Sequence, residues 1–291
     1  MNNQRIRRAF PGTRYGPPAR RILAHARLSG LACLALAAGC AGISQPHIPA
    51  AVPELRPGLA TGYLEKGALP NSLTLLPPPP APNTAPFLAD EETYRATRAL
   101  RGTPRWAQAA RDADLRLPVA VDNFSCAIDL PITQESTPHL YMLMRRSLTD
   151  SGLSTYAAKD HYQRVRPYAR HDEGSCTPDE EELLRKDGSY PSGHASIGWS
   201  WALILTELAP ERADALLARG LSFGQSRVIC GVHWQSDVTA ARVTGASAVA
   251  SLHGDAVFRA ELAQARKEVE AARARGIKPT RDCAAEAATL R

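Results

Sequence analysis

The sequence predicts an all-α fold, built as a single compact helical domain. Helical runs recur from residue 90 almost to the C-terminus, and no window of alternating β-branched residues is strong enough to mark a strand. A chain of 291 residues with 44% hydrophobic content is long enough to bury one large core. Its 20 glycines and 23 prolines follow no period, which excludes collagen-like and wholly disordered readings, and there is no internal repeat.

Residues 1–39 read as an address rather than as part of the fold. They hold seven arginines and no Asp or Glu, followed by the uncharged run Leu28-Ser-Gly-Leu-Ala-Cys-Leu-Ala-Leu-Ala-Ala-Gly39. A basic stretch, about a dozen apolar residues and a small-residue end describe a secretory signal, and the run is short of the roughly 20 residues a membrane span needs. Ala-Ala-Gly-Cys40 resembles a bacterial lipoprotein processing site, with Ala37 where Leu is usual. A lipid anchor at Cys40 and ordinary cleavage nearby both stay open, and the expected destination is the periplasm, with outer-membrane anchoring if Cys40 is lipidated. The same segment explains the whole-chain charge of +6. Without its seven arginines, 28 basic residues face 29 acidic ones, so no nucleic-acid footprint remains.

Residues 40–86 are rich in Pro, Ala and Leu and include four consecutive prolines, Pro77–Pro80. That favours polyproline over helix, and the segment reads as a tether or a strap across the domain surface. Residues 87–275 are the expected catalytic domain and 276–291 a C-terminal tail. The run from Asp90 places acids before arginines, as a helix dipole favours. Further helices are expected over Thr137–Gly152, Leu153–Arg164, Ala195–Leu208, Ala213–Arg227, Ser236–Leu252 and Asp255–Arg275, the last as a solvated surface helix. Cys126, Cys176, Cys230 and Cys283 lie beyond the signal. An even number in an oxidising compartment allows up to two disulfides in three connectivities, and none of the spacings suits a metal.

Three clusters carry chemistry. In the first, Lys159-Asp-His-Tyr-Gln-Arg-Val-Arg166-Pro167, a seven-residue spacing would bring Lys159 and Arg166 to one helix face, with Pro167 ending the helix. Two cations so placed repel unless an anion lies between them. In the second, Gly188-Ser-Tyr-Pro-Ser192-Gly193-His194, a turn enters an apolar helix whose Ile197, Trp201, Ile204 and Leu208 share a buried face. Free N–H groups at such a start bind anions, Gly193 lets the backbone approach closely, and His194 adds a titratable proton. In the third, Ser226-Arg227-Val-Ile-Cys-Gly-Val-His233-Trp-Gln-Ser-Asp237, His233 and Asp237 are four residues apart, so on a helix the carboxylate can fix the tautomer of His233 and leave its other nitrogen as a nucleophile or base. Arg227 offers a planar fork to phosphate oxygens.

The ordered set K-x6-R-P, P-S-G-H, S-R-x5-H-x3-D resembles the phosphatidic-acid-phosphatase-type signature. Bacterial acid phosphatases and vanadium haloperoxidases share it, and every fixed position is filled here. Gly188–His194, Ser226–Gly231, Leu75–Ala81, Ala158–Tyr162 and Gly224–Val228 are similar to the class A bacterial non-specific acid phosphatases. The similarity covers roughly residues 69–270. Ala195, Val232 and Thr239 depart from that class, where Thr, Tyr and Asp are common, and bear on the pocket rather than on the catalytic set.

The resemblance implies the helical fold of that superfamily and broad hydrolysis of small phosphate monoesters, with no cofactor or metal. Lys159, Arg166, Ser192, Gly193 and Arg227 would bind the phosphoryl oxygens. His233 would be the nucleophile that forms a phosphohistidine, Asp237 its orienting carboxylate and His194 the acid for the leaving alcohol, which favours activity below neutral pH. Phosphoryl transfer to another alcohol is an expected side reaction. The alternative is a haloperoxidase holding vanadate in the same cage. A multi-pass lipid phosphatase is excluded, since no second apolar run nears 20 residues. Relatives of this class commonly form homo-oligomers, and the same is expected here.

Overall fold

A computed structural model describes residues 46–290, so the signal segment and Cys40 lie outside the described residues. Nine helices of seven residues or more build this part of the chain. They are α1 (Ala85–Arg98), α2 (Pro104–Ala113), α3 (Pro138–Leu153), α4 (Tyr156–Tyr162), α5 (Gly193–Leu208), α6 (Ala213–Ile229), α7 (Gln235–Leu252), α8 (Ala256–Ala274) and α9 (Cys283–Thr289). Their starts follow local chemistry. Pro86, Pro104 and Pro138 occupy first-turn positions, where a missing N–H costs nothing, and Ser192, Thr103 and Asp255 accept bonds from first-turn N–H groups.

The most apolar helix, α5, lies at the centre against α3, α6 and α7. Ile197, Trp201, Ile204 and Leu208 are all buried in the main core, as their spacing predicts. Phe124 meets Trp201 edge-on at 5.7 Å, and the Trp201 indole N–H donates to the Met144 carbonyl at 3.0 Å. Small residues let the central helices approach closely. A Cβ on Gly220 would stand 2.5 Å from the Ala202 Cβ, and one on Gly245 would stand 2.6 Å from the Ser196 carbonyl oxygen.

Four expectations are corrected. The chain contains a small antiparallel ribbon, β1 (Glu54–Arg56) with β2 (Leu59–Ala60), too short to show as an alternating pattern. The last long helix, α8, is not a solvated helix, because Phe258, Leu262, Ala265 and Val269 bury one face in the main core. The helix expected to reach Arg164 stops at Tyr162, where Gln163 adopts φ +43°. Arg166 therefore lies beyond it in extended conformation, and Pro167 opens the next short helical turn, Pro167–Arg170. His233 likewise precedes its helix, since α7 begins at Gln235 with Trp234 as its cap.

The Pro-rich segment folds against α3, α4 and the loop before α5. Tyr63 and Leu64 donate backbone N–H groups to the two oxygens of Asp150, at 2.9 and 3.0 Å. The Ser72 hydroxyl accepts the Ala158 N–H at 3.0 Å, and the Tyr190 hydroxyl donates to the Pro77 carbonyl at 2.8 Å. Disulfides join Cys126 to Cys283 and Cys176 to Cys230, one of the three open connectivities.

Candidate active site

Backbone hydrogen bonds stitch the three sequence clusters together. The Tyr168 N–H donates to the Gly231 carbonyl at 2.9 Å, the Ser189 N–H to the Arg164 carbonyl at 2.9 Å, and the Ser192 N–H to the Asp237 carbonyl at 3.1 Å. Each cluster thus has a main-chain tie to the other two.

The third cluster is shaped by the end of α6. Cys230 caps the helix and Gly231 follows at φ +76°. The Gly231 N–H then reaches the Val228 carbonyl at 2.9 Å, while those of Val232 and His233 both reach the Arg227 carbonyl at 3.2 Å. This is the glycine-terminated helix end, in which left-handed backbone turns the chain back on the last turn. A Cβ at Gly231 would also stand 2.7 Å from the Arg98 guanidinium. The five-residue gap between Arg227 and His233 is the length of that reversal, which brings the His233 N–H back onto the Arg227 carbonyl.

His233 is 3% exposed. Its Nδ1 faces Asp237 Oδ2 at 3.3 Å, and its Nε2 lies 3.1 Å from the Arg166 guanidinium. A guanidinium only donates, so Nε2 accepts and the proton sits on Nδ1 toward the carboxylate. The arrangement leaves the Nε2 lone pair on the cationic side. Asp237 Oδ2 also accepts the Trp234 N–H at 2.8 Å, so the helix start and the imidazole share one oxygen.

Lys159 and Arg166 meet without sharing a helix. Asp187 Oδ2 bridges them, 3.1 Å from the ammonium and 3.0 Å from the guanidinium, and the Gly188 carbonyl accepts from Lys159 at 2.5 Å. Burial first, and the charge of Arg166 second, push the Lys159 ammonium down to about 8. The anion that two neighbouring cations demand is here a carboxylate of the chain itself, on a residue the sequence reading did not select.

Arg227 is different. It is 0% exposed, and none of its three guanidinium nitrogens has a hydrogen-bond partner among the described residues. Burial holds it down at about 10, against the opposing attraction of Glu180. A fully buried fork with five unmet N–H donors costs several kcal/mol unless an anion occupies the space before it. Ser192 caps α5 by accepting the Ala195 N–H at 3.3 Å, which leaves its hydroxyl proton available. Among the described residues, and apart from its chain neighbours and own helix backbone, a Cβ at Gly193 would meet only Thr155 Oγ1, at 3.8 Å, which leaves that approach to the helix start open.

His194 donates from Nε2 to the Ala113 carbonyl at 2.9 Å, a contact the sequence does not disclose. Burial, then the charge of Arg227, hold its imidazole well below the ordinary 6.5, against the opposing pull of that carbonyl. Burial, then Arg166, Lys159 and Arg227, do the same to His233. The surrounding cations disfavour the charged form of both rings, and an entering dianion would offset that field and raise both values. Sulfate, whose charge is fixed over this range, is therefore expected to bind more tightly as pH falls from 7 to 5, with proton uptake. Titration calorimetry in buffers of different ionisation enthalpy checks this, and pH-independent sulfate binding would contradict it.

The family model described as the PAP2 superfamily matches residues 139–258. The chain is 45% identical over 207 residues to a non-specific acid phosphatase of Providencia stuartii, which covers 71% of this chain and 84% of that protein. The chain belongs to the class A bacterial acid phosphatases. An acid phosphatase of Zymomonas mobilis is 44% identical over 201 residues, covering 69% of this chain and 76% of the relative. A non-specific acid phosphatase of Salmonella typhimurium is 44% identical over 200 residues, covering 68% and 80%. This phosphatase keeps the all-α architecture expected of that membership, and among its described residues no helix is long and apolar enough to cross a membrane.

Proposed function

We propose that this phosphatase is exported and hydrolyses a broad range of small phosphate monoesters through a phosphohistidine on His233. The observation that carries the reading is the buried guanidinium of Arg227, unpartnered among the described residues, together with a histidine whose Nε2 lone pair faces Arg166. The phosphoryl oxygens would be held by Arg227, Arg166, Lys159, the Ser192 hydroxyl and the N–H groups at the start of α5. Oriented donors of this kind are worth on the order of 3–4 kcal/mol each when they meet developing charge.

In the first step the Nε2 lone pair of His233 forms the P–N bond as the P–O bond to the alcohol breaks, and Asp237 stabilises the positive charge gained by the ring. His194, protonated once the dianion is bound, gives its proton to the departing alkoxide. Water then attacks phosphorus and passes a proton to His194. The P–N bond breaks, and its electron pair returns to Nε2. An alcohol in place of water would accept the phosphoryl group instead, the expected transferase side reaction. The grip is on phosphate and leaves the alcohol side unspecified, which supports a broad substrate range.

The basic, then apolar, N-terminal segment and the two disulfides support export to an oxidising compartment, the periplasm, with Cys40 as the site of any lipid anchor. Assembly into a homo-oligomer is part of the same proposal.

Hydrolysis of a chromogenic aryl phosphate across pH 4–9, in the presence of chelator, tests the activity. Turnover that resists the chelator and is highest below neutral is expected. A folded protein that hydrolyses no phosphate ester, yet oxidises bromide when given vanadate and peroxide, would replace this reading with the haloperoxidase.

A further inference from the structure

The signature accounts for Asp237 as the partner of His233, but it does not account for what holds Asp237. That carboxylate is completely buried, and only Oδ2 faces the imidazole. Its other oxygen, Oδ1, receives Arg164 Nη1 at 2.6 Å. The same Nη1 reaches the Ser236 hydroxyl at 2.7 Å, and Nη2 reaches Asp90 Oδ2 at 2.9 Å. Asp90 is 3% exposed and spends its remaining capacity on Ser236, taking its N–H at 2.8 Å and its hydroxyl at 2.5 Å. The guanidinium plane is further confined by the Trp234 ring, 5.4 Å away.

We propose that Arg164, anchored by Asp90, is the positioning residue that fixes the Asp237 carboxylate, and through it the His233 imidazole, for in-line attack. The inference rests on the reading of His233 as nucleophile.

The geometry gives three reasons. First, a carboxylate bound on one oxygen alone can swing about its Cβ–Cγ bond. Arg164 on Oδ1, with the Trp234 N–H on Oδ2, removes that freedom and aims Oδ2 at Nδ1. Second, the chain Asp90–Arg164–Asp237 sums to one negative charge beside Nδ1. That charge offsets the positive charge the ring gains when Nε2 takes the phosphoryl group, whereas Asp90 without Arg164 would leave two carboxylates unpaired in a buried space. Third, Arg164 lies where the three clusters meet. Its carbonyl accepts the Ser189 N–H at 2.9 Å, and the carbonyl of the next residue, Val165, accepts the Trp234 indole N–H at 2.8 Å. Asp90 comes from α1, outside the residues the superfamily model matches, so the anchor is supplied by the segment that precedes that match.

Among the described residues the Arg164 side chain makes no hydrogen bond or ion pair with an expected phosphate ligand, so kcat and phosphate affinity should separate. Arg164→Met is expected to lower kcat roughly tenfold to a hundredfold, the scale of a small misplacement of a reacting group, while the inhibition constant for inorganic phosphate stays within about twofold. Arg164→Lys, which keeps the charge but loses the fork, should recover part of the loss. In an Asp237→Asn background, Arg164→Met should cost little more, because the two act as one unit. If Arg164→Met does not fold, Asp90→Asn reads the same link from its outer end, with a severalfold fall in kcat and unchanged phosphate inhibition.

Three results would overturn the inference: unchanged kcat in folded Arg164→Met, full additivity with Asp237→Asn, or a phosphate affinity that falls in step with kcat. For the fallback variant the overturning result is unchanged kcat. His233→Ala in the same assays separates the two readings. Turnover that survives in His233→Ala removes the nucleophile itself, whereas a dead His233→Ala beside an unaffected Arg164→Met removes only the role of Arg164.

Discussion

Replacing His233 with alanine is expected to lower kcat/KM for an aryl phosphate by at least about three orders of magnitude, while the protein stays folded. The ring is 3% exposed and bonded on both sides, so its removal also opens a small cavity. That cavity is flanked by Arg166 and the Asp237 carboxylate, both of which keep other partners: Arg166 on the Val232 carbonyl and Asp187, and Asp237 on Arg164 and the Trp234 N–H. The fold is therefore expected to survive, with the loss confined to chemistry. The cage remains in this variant, so it should still bind phosphate, and a thermal melt with and without phosphate reads that retention. Residual activity within tenfold of the wild type would mean that another group attacks phosphorus.

Arg227→Met carries the second large effect, and its two readouts move in opposite directions. The guanidinium is fully buried with no hydrogen-bond partner among the described residues, a cost that Met of similar length does not carry. The variant is expected to gain about 1–3 kcal/mol of stability, a rise of several degrees in thermal midpoint for a chain of this size. Turnover should fall about a hundredfold to a thousandfold, the loss typical of one oriented donor to a developing oxyanion. Stabilisation by phosphate should shrink with it. Such a trade is what a site holding a cation against its own desolvation would show. A variant that lost stability as well as activity would mean that Arg227 has a structural partner in the folded protein.

Much of this site was legible because its signature is a set of residue types whose spacing has a physical basis. The gap from Arg227 to His233 is the length of a glycine-terminated helix reversal, and Pro-Ser-Gly before an apolar run marks a capped helix start. Periodicity likewise located the buried face of α5. Where the reading failed, a local rule met a tertiary one. Helical spacing would have placed Lys159 and Arg166 on one face, but the helix ends at Tyr162, before the left-handed Gln163, and the two cations meet through Asp187 instead. The composition of α8 looks solvated because its charged residues outnumber the few apolar ones that touch the core. Asp187, Arg164, Asp90 and the Ala113 carbonyl left no sequence signal, because each is brought to the site by the packing of separate segments. The choice among three disulfide connectivities was invisible for the same reason.

The central claim is covalent, and trapping the intermediate tests it most directly. Enzyme mixed for milliseconds with phosphorus-labelled aryl phosphate, quenched in alkali and digested, is expected to carry label on the peptide that contains His233. The label should be stable to alkali, lost in acid and absent from His233→Ala. Label on any other residue, or none in an enzyme that turns over under the same conditions, would contradict the account.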